Sequence, residues 1–265
     1  MITIRTAAIT ALWLSAGIVT AQNPAAPAEL EPATVQAFDS YIRNAEARME
    51  TGGAFLWVDQ DPARARQART GQVLSQPWGA QTEIPVSGGL IHDWIGAVFI
   101  PGATLDRTLA LVQDYDHHKN IYRPEVIDSK LVSRTDGDFK IYLRLLKKKV
   151  LTVVLNTHHD VRYTRLDATR CRSRSYSTRI AEVDNAGKPG ERELPVGHDH
   201  GFLWRLYSYW RFEERDGGVY VECEAISLTR GVPRGLGWLI DPIIRNLPRE
   251  SLANTLTATR TALAK

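Results

Sequence analysis

The seven histidines are the residues of this 265-residue chain best suited to proton transfer or metal binding. They occur as His92, the adjacent pairs His117-His118 and His158-His159, and His198-x-His200. Neighbouring side chains in a strand point to opposite faces, so at most one of His158 and His159 faces an interior. His198 and His200 could share a face, with Asp199, Asp116 or Asp160 as further oxygen donors. No H-E-x-x-H is present, and Cys171 and Cys223 do not make a C-x-x-C, so no metal is assigned. There is also no G-x-S-x-G elbow, Walker loop or G-x-G-x-x-G between strand and helix. The glycine-rich stretch Arg230–Gly237 reads as a turn into closing helices rather than a phosphate cradle. No cofactor is implied.

The elements that must position these residues are those of a folded, exported chain. Charged residues make up 24% of the sequence, which excludes a disordered chain and a polytopic membrane protein. A net charge of +3 is too small to announce a nucleic-acid binder, although 25 of the 33 basic residues are arginine. Arg5, the apolar run Ala7–Val19 and Val19-Thr20-Ala21 before Gln22 make residues 1–21 a signal peptide, with a core short of the ~20 residues a spanning helix needs. With no cysteine near the cleavage site, no lipoprotein anchor is expected. The mature chain, at net charge +2, is expected to be soluble, with no integral span and a periplasmic or extracellular address.

Residues 22–32 read as a Pro/Ala linker. An amphipathic helix follows over 33–50, with Val35, Phe38, Tyr41, Ile42, Ala45 and Met49 on one face. Within 54–86, Phe55-Leu56-Trp57-Val58 is a short apolar run and Asp61-Pro62 could open a short helix through Arg69; the rest of the segment is unassigned. We group 33–87 as an N-terminal helical and irregular extension. From residue 88 the pattern is regular: a strand over Leu90–Ile100, a helix capped by Thr104, and strands ending or starting at Asp136-Gly137-Asp138. Further strands are expected at Phe139–Lys147, Val150–Leu166, Thr169–Val183, Phe202–Glu214 and Val219–Leu228. Residues 184–200 form a polar loop. Pro248 suits the first turn of a closing helix over 248–264, with Leu252, Leu256, Thr259 and Leu263 on one stripe.

This element order, with the run Arg230–Trp238 and the closing helix Pro248–Leu263, resembles the START-like or SRPBCC superfamily over residues 88–264. The resemblance implies an α+β helix-grip fold: a curved antiparallel sheet of about six to seven strands wrapped around a long C-terminal helix. It makes 88–265 a ligand-binding domain and places 202–214 between 169–183 and 219–228. Cys171 and Cys223 then lie on non-adjacent strands, and we expect two buried free thiols.

Strand alternation assigns the faces. Phe202, Trp204, Leu206, Ser208, Trp210 and Phe212 share one face with Cys171, Ser173, Ser175, Ser177, Cys223, Ala225 and Ser227. The opposite face carries Arg172, Arg174, Arg205, Arg211, Glu222 and Glu224. It reads as a solvated ladder on a sheet covered on one side only, rather than a site for an anionic partner. On the first face, small residues beside bulky tryptophans leave room under the closing helix. We therefore expect a cavity for a sterol-like, acyl or polycyclic molecule. Its sheet wall would be Ser173, Ser175, Trp204, Leu206, Trp210 and Cys223, and its lid Trp238, Leu252 and Leu256.

The leading expectation is an exported binder or carrier of a hydrophobic small molecule. The alternative implied by the resemblance is a cyclase or hydrolase using His159 and Tyr163, with Arg165 on the same strand parity. A third is a protein-interaction module presenting the 33–50 helix and the arginine face. The oligomeric state is left open.

Overall fold

The computed structural model describes residues 28–51, 53–148, 152–231 and 237–264, with backbone only over 237–246. The expected signal peptide, most of the expected linker and most of the glycine-rich stretch expected to turn into the closing helices lie outside the described residues. The chain opens with a short strand, Ala28–Glu29 (β1), and the helix Pro32–Thr51 (α1). A 3-10 turn, Trp57–Gln60, precedes the helix Pro62–Arg69 (α2), whose start is capped by Asp61 accepting the Ala63 N–H. Then come Leu74–Pro77 (β2), Ile84–Val86 (β3) and Gly89–Pro101 (β4). Thr104 accepts the Arg107 N–H at the start of Leu105–Val112 (α3), and His118–Ile121 (α4) follows. The long strands are Val126–Thr135 (β5), Asp138–Lys148 (β6), Thr152–Arg165 (β7) and Arg170–Asp184 (β8). After the short pieces Arg192–Glu193 (β9) and His198–Asp199 (β10) come Arg205–Arg215 (β11), Gly218–Arg230 (β12) and the helix Gly237–Leu263 (α5).

Ten of the strands form one antiparallel sheet along the path β2-β4-β12-β11-β8-β7-β6-β5, with β3 beside β4 and β9 beside β8. This is the helix-grip order expected above. The sheet has more strands than expected because 74–86, which carried no period-2 pattern, adds β2 and β3 to the edge, and the 184–200 stretch expected as a polar loop adds β9. The hairpin between β11 and β12 turns on Asp216 and Gly217, both at positive φ, as a tight two-residue turn requires. A bulge where His158 and His159 face β8 skips Thr178, so the inner-facing residues of β8 change parity beyond Ser177. The closing helix begins well before residue 248, leaving Pro248 inside it. Pro242 and Pro248 both fall inside the helix; an interior proline removes one hydrogen bond and crowds the carbonyl four residues back, a cost of about 3 kcal/mol that this long helix accommodates. The stripe on this helix is as expected: Leu252, Leu256, Thr259 and Leu263 are buried.

The sheet is covered on both faces, against the expectation of one. On the inner face, Leu252, Leu256 and Leu263 pack with Trp94, Val98, Val221 and Cys223. On the outer face, Phe38, Ile42 and Ala45 of α1 pack with Ile91, Tyr209, Ile226 and Leu228. Leu56, Trp57 and Val58 pack beside them on Ile95, Ala97, Phe99 and Tyr220. Polar outward positions hid this layer, because its partners are polar too. Buried Glu224 is paired by Arg48 of α1, Glu46 accepts the hydroxyls of Tyr176 and Tyr209, and Glu50 pairs with Arg172 and Arg174. Only the β5–β7 half keeps a solvated ladder, with Lys140–Asp160 at 2.9 Å and Arg162–Asp138 at 2.6 Å. Residues 74–77 and 84–86 thus supply edge strands to the sheet, while α1 and Leu56–Val58 form a layer packed on its outer face.

Candidate ligand site on the inner face

Register places the inner-facing side chains of the central strands in cross-strand rows. One row runs Tyr163, Ser173, Trp210, Cys223, Gly96, and the next Val161, Ser175, Ser208, Ala225, Trp94. A third brings together His159, Ser177, Leu206, Ser227 and His92, with the Ser177 hydroxyl accepting the Leu206 N–H at 3.0 Å. The rows are flanked by packed walls. On one side α5 lies so close to β4 that a Cβ on Gly96 would stand 2.8 Å from Leu256 Cδ1. On the other, Tyr115 packs on Phe139 and shares a 3.0 Å hydrogen bond with Tyr163, while Tyr122 reaches Thr259 of α5 at 3.3 Å.

Between these walls burial falls off toward the middle of the face. Val161 and Trp94, at the ends of their row, are buried, whereas Ser175, Ser208 and Ala225 between them are only half-buried, as are Leu206 and Trp210. The outer side of these strands lies under α1, so this exposure is toward the inner side. Among the described residues, the buried polar atoms on this face without a hydrogen-bond partner include Ser173 Oγ, His159 Nδ1, Trp94 Nε1 and His92 Nδ1. Buried polar groups are normally satisfied, and unpaired ones mark a place for water or a ligand.

Of the residues expected in the wall, Ser173, Ser175, Leu206, Trp210 and Cys223 are on this face. Trp204 is not. It precedes the first ladder pair of β11, so strand alternation does not extend to it, and it packs in the α1 layer, its indole N–H donated to Asp199 at 3.1 Å. Leu252 and Leu256 are on the inner side but within the packed core against Trp94 and Cys223. Trp238 lies outside the residues whose side chains are described. Sequence reasoning missed Tyr115 and Tyr122 because they sit in short helical pieces without periodicity; only the adjacent histidines marked that region.

The proposed acid–base pair does not assemble. His159 and Tyr163 are four residues apart on one strand, which separates them by about 13 Å. His159 is buried, with Nε2 3.0 Å from Thr157 Oγ1, and burial pushes its pKa down to about 4. Burial and neighbouring Tyr115 hold Tyr163 well above an ordinary tyrosine, with its hydroxyl engaged to Tyr115. Arg165 is drawn out to Asp106 at 2.6 Å. Among the described residues no group of histidines, cysteines and carboxylates is arranged to hold a metal; His200 pairs with Glu182 and His117 with Asp114. Cys171 and Cys223 are buried free thiols, separated by β11.

The strand order and the terminal helix along the inner face define a START-like helix-grip fold. No protein-family model and no curated protein matches the sequence. Among solved structures the chain is similar to a STAR-related lipid transfer protein of Xanthomonas axonopodis. The two share 17% identity over 72% of this chain and 99% of that one, with a TM-score of 0.47. It is also similar to the human StarD13 lipid transfer and protein localization domain, at 8% identity over 80% and 98% and a TM-score of 0.44. The Zhui aromatase/cyclase of Streptomyces sp. R1128 is 12% identical over 65% and 93%, with a TM-score of 0.38.

Proposed function

We propose that the protein binds or carries a hydrophobic small molecule on the inner face, between the sheet and α5. The observation that carries this reading is the half-buried strip Ser175, Ser208, Ala225, with half-buried Leu206 and Trp210 beside it, next to the unpartnered Ser173 hydroxyl. An apolar body would cover Leu206, Trp210 and Ala225, and one or two polar groups on it would meet the serines. Sterol-like, acyl and polycyclic molecules have that make-up. The separation of His159 from Tyr163 favours binding over acid–base turnover.

Native mass spectrometry of protein purified from its own host tests this. The expected result is a noncovalent adduct that organic solvent extracts and a Ser208→Leu variant lacks. An adduct-free protein that also fails to take up fluorescent sterol or acyl probes would overturn it. We further propose export, carried by residues 1–21, which suits a carrier of water-insoluble cargo across an aqueous compartment. N-terminal sequencing should begin at Gln22 in the periplasmic or secreted fraction. An intact Met1 in the cytosolic fraction would overturn that part.

A further inference from the structure

A hollow of about 360 Å³ lies at the sheet edge where α2, β2 and α5 meet, and none of the inner-face strip residues lines it. Trp57, Leu74 and Ala253 contribute to it, and its polar lining includes two donor-only guanidinium groups, Arg64 and Arg249, and the amides of Gln67, Gln72 and Gln76, which can turn either way. Arg64 is held in place, its guanidinium 3.9 Å above the Trp57 ring and one N–H donated to the Trp57 carbonyl at 2.7 Å. Its other N–H groups, and the side chains of Arg249 and the three glutamines, have no partner among the described residues. Ser75 Oγ, also in the lining, is buried without one. Asp61 is the single acid among the lining residues, and its carboxylate already accepts the Ala63 N–H at 2.8 Å.

Two arginines, three amides and a hydroxyl converging on one hollow match the acceptor-only oxygens of an oxoanion, and a fixed guanidinium plane is the best single donor for one. The volume corresponds to about a dozen waters, enough for a phosphate ester headgroup but not for a lipid body. We propose that this hollow is an anion site for a phosphate group, independent of the hydrophobic ligand on the inner face. A soluble phosphate ester and a phospholipid headgroup present the same chemistry to it.

The test is calorimetric titration of the mature protein with inorganic phosphate and glycerol 3-phosphate, alongside flotation with phosphatidylglycerol and with phosphatidylcholine vesicles, all at low ionic strength. Saturable binding to at least one probe is expected, weakened roughly tenfold or more in the Arg64→Gln, Arg249→Gln double variant. Arg249→Gln alone, at an exposed and unpaired position, should weaken binding several-fold with Tm unchanged. It keeps the test valid if loss of Arg64 disturbs Trp57. Binding of the soluble esters assigns a free phosphate ligand; binding only to vesicles assigns a headgroup. No binding of any probe up to about 10 mM, or equal binding by wild type and both variants, overturns the proposal. The cargo adduct on the inner face should persist in both variants, so the two readings fail separately.

Discussion

The carboxylate of Glu222, at the middle of β12, accepts the backbone N–H of Trp57 at 2.7 Å. Its second oxygen accepts the Val58 N–H at 2.8 Å, so one sheet residue holds the 3-10 turn that seals the outer layer. Burial pushes Glu222 up to about 7 against the pull of these two donors. Glu222→Gln turns one acceptor into a donor facing an N–H, and should lower unfolding free energy by about 1–3 kcal/mol in urea titration. Glu222→Ala should cost more, since both N–H groups are then left unpaired in the interior. Wild-type stability in either variant would show that the turn is held by its apolar contacts alone.

Asp93 should give the protein an alkaline weakness. Burial first, and then Glu224 beside it, raise its pKa, while Tyr41 donates to it at 2.8 Å and Arg48 sits 3.9 Å away. The folded state therefore holds this proton after the unfolded chain has released it near pH 4, and wild type loses stability as pH rises from there. Asp93→Asn does not titrate. Its stability relative to wild type should rise steadily between about pH 4 and pH 8 in denaturation curves; a pH-independent difference would refute the assignment.

His159 acts with the opposite sign. Its folded pKa of about 4 lies below the ordinary value, so the unfolded chain takes up the proton first as the solution is acidified. Relative to His159→Gln, wild type should lose up to about 3 kcal/mol as pH falls from about 6.5 to about 4. Thermal melts across that range measure it. The same variant should keep bound cargo, which a catalytic role does not require.

Filling the central strip should separate binding from folding. Ser208→Leu and Ala225→Leu add apolar volume where side chains are half-buried, so each should abolish uptake of a fluorescent hydrophobic probe and leave Tm within a few degrees. A fall in Tm comparable to that of a core substitution would mean the strip is already packed.

Gly96→Ala should behave as a core substitution. The added methyl meets the Leu74 carbonyl at 2.7 Å and Leu256 at 2.8 Å, contacts that force α5 or β2 to move. The expected cost is roughly 1–3 kcal/mol by urea titration.

The inner half of the fold was legible because its signals are local. Alternation along β8, β11 and β12 put Ser173, Ser175, Trp210 and Cys223 on one face, and the leucine stripe of α5 was correctly read. The outer layer was not legible, since its contacts link residues far apart in sequence. Glu222 with Trp57 and Glu224 with Arg48 look like solvated charges until the partner segment is in place. Trp204 was misplaced for a related reason: alternation holds only where ladder pairing holds, and pairing begins at Arg205. Several arginines that read as surplus charge pair with acids on other segments, as Arg48 does with Glu224, Arg172 and Arg174 with Glu50, and Arg215 with Asp59.

The arginine of α1 that pairs with Glu224 also lies 3.6 Å over the Trp78 ring, so one side chain ties the first helix, the β2 segment and the central hairpin together. A protein trimmed to begin at residue 88 would keep every long strand and the closing helix. It would also present Asp93, Glu222 and Glu224 bare beside Tyr209 and Tyr220 on a raw apolar wall. Such a fragment is expected to aggregate rather than fold, which puts the minimal cooperative unit near residue 28.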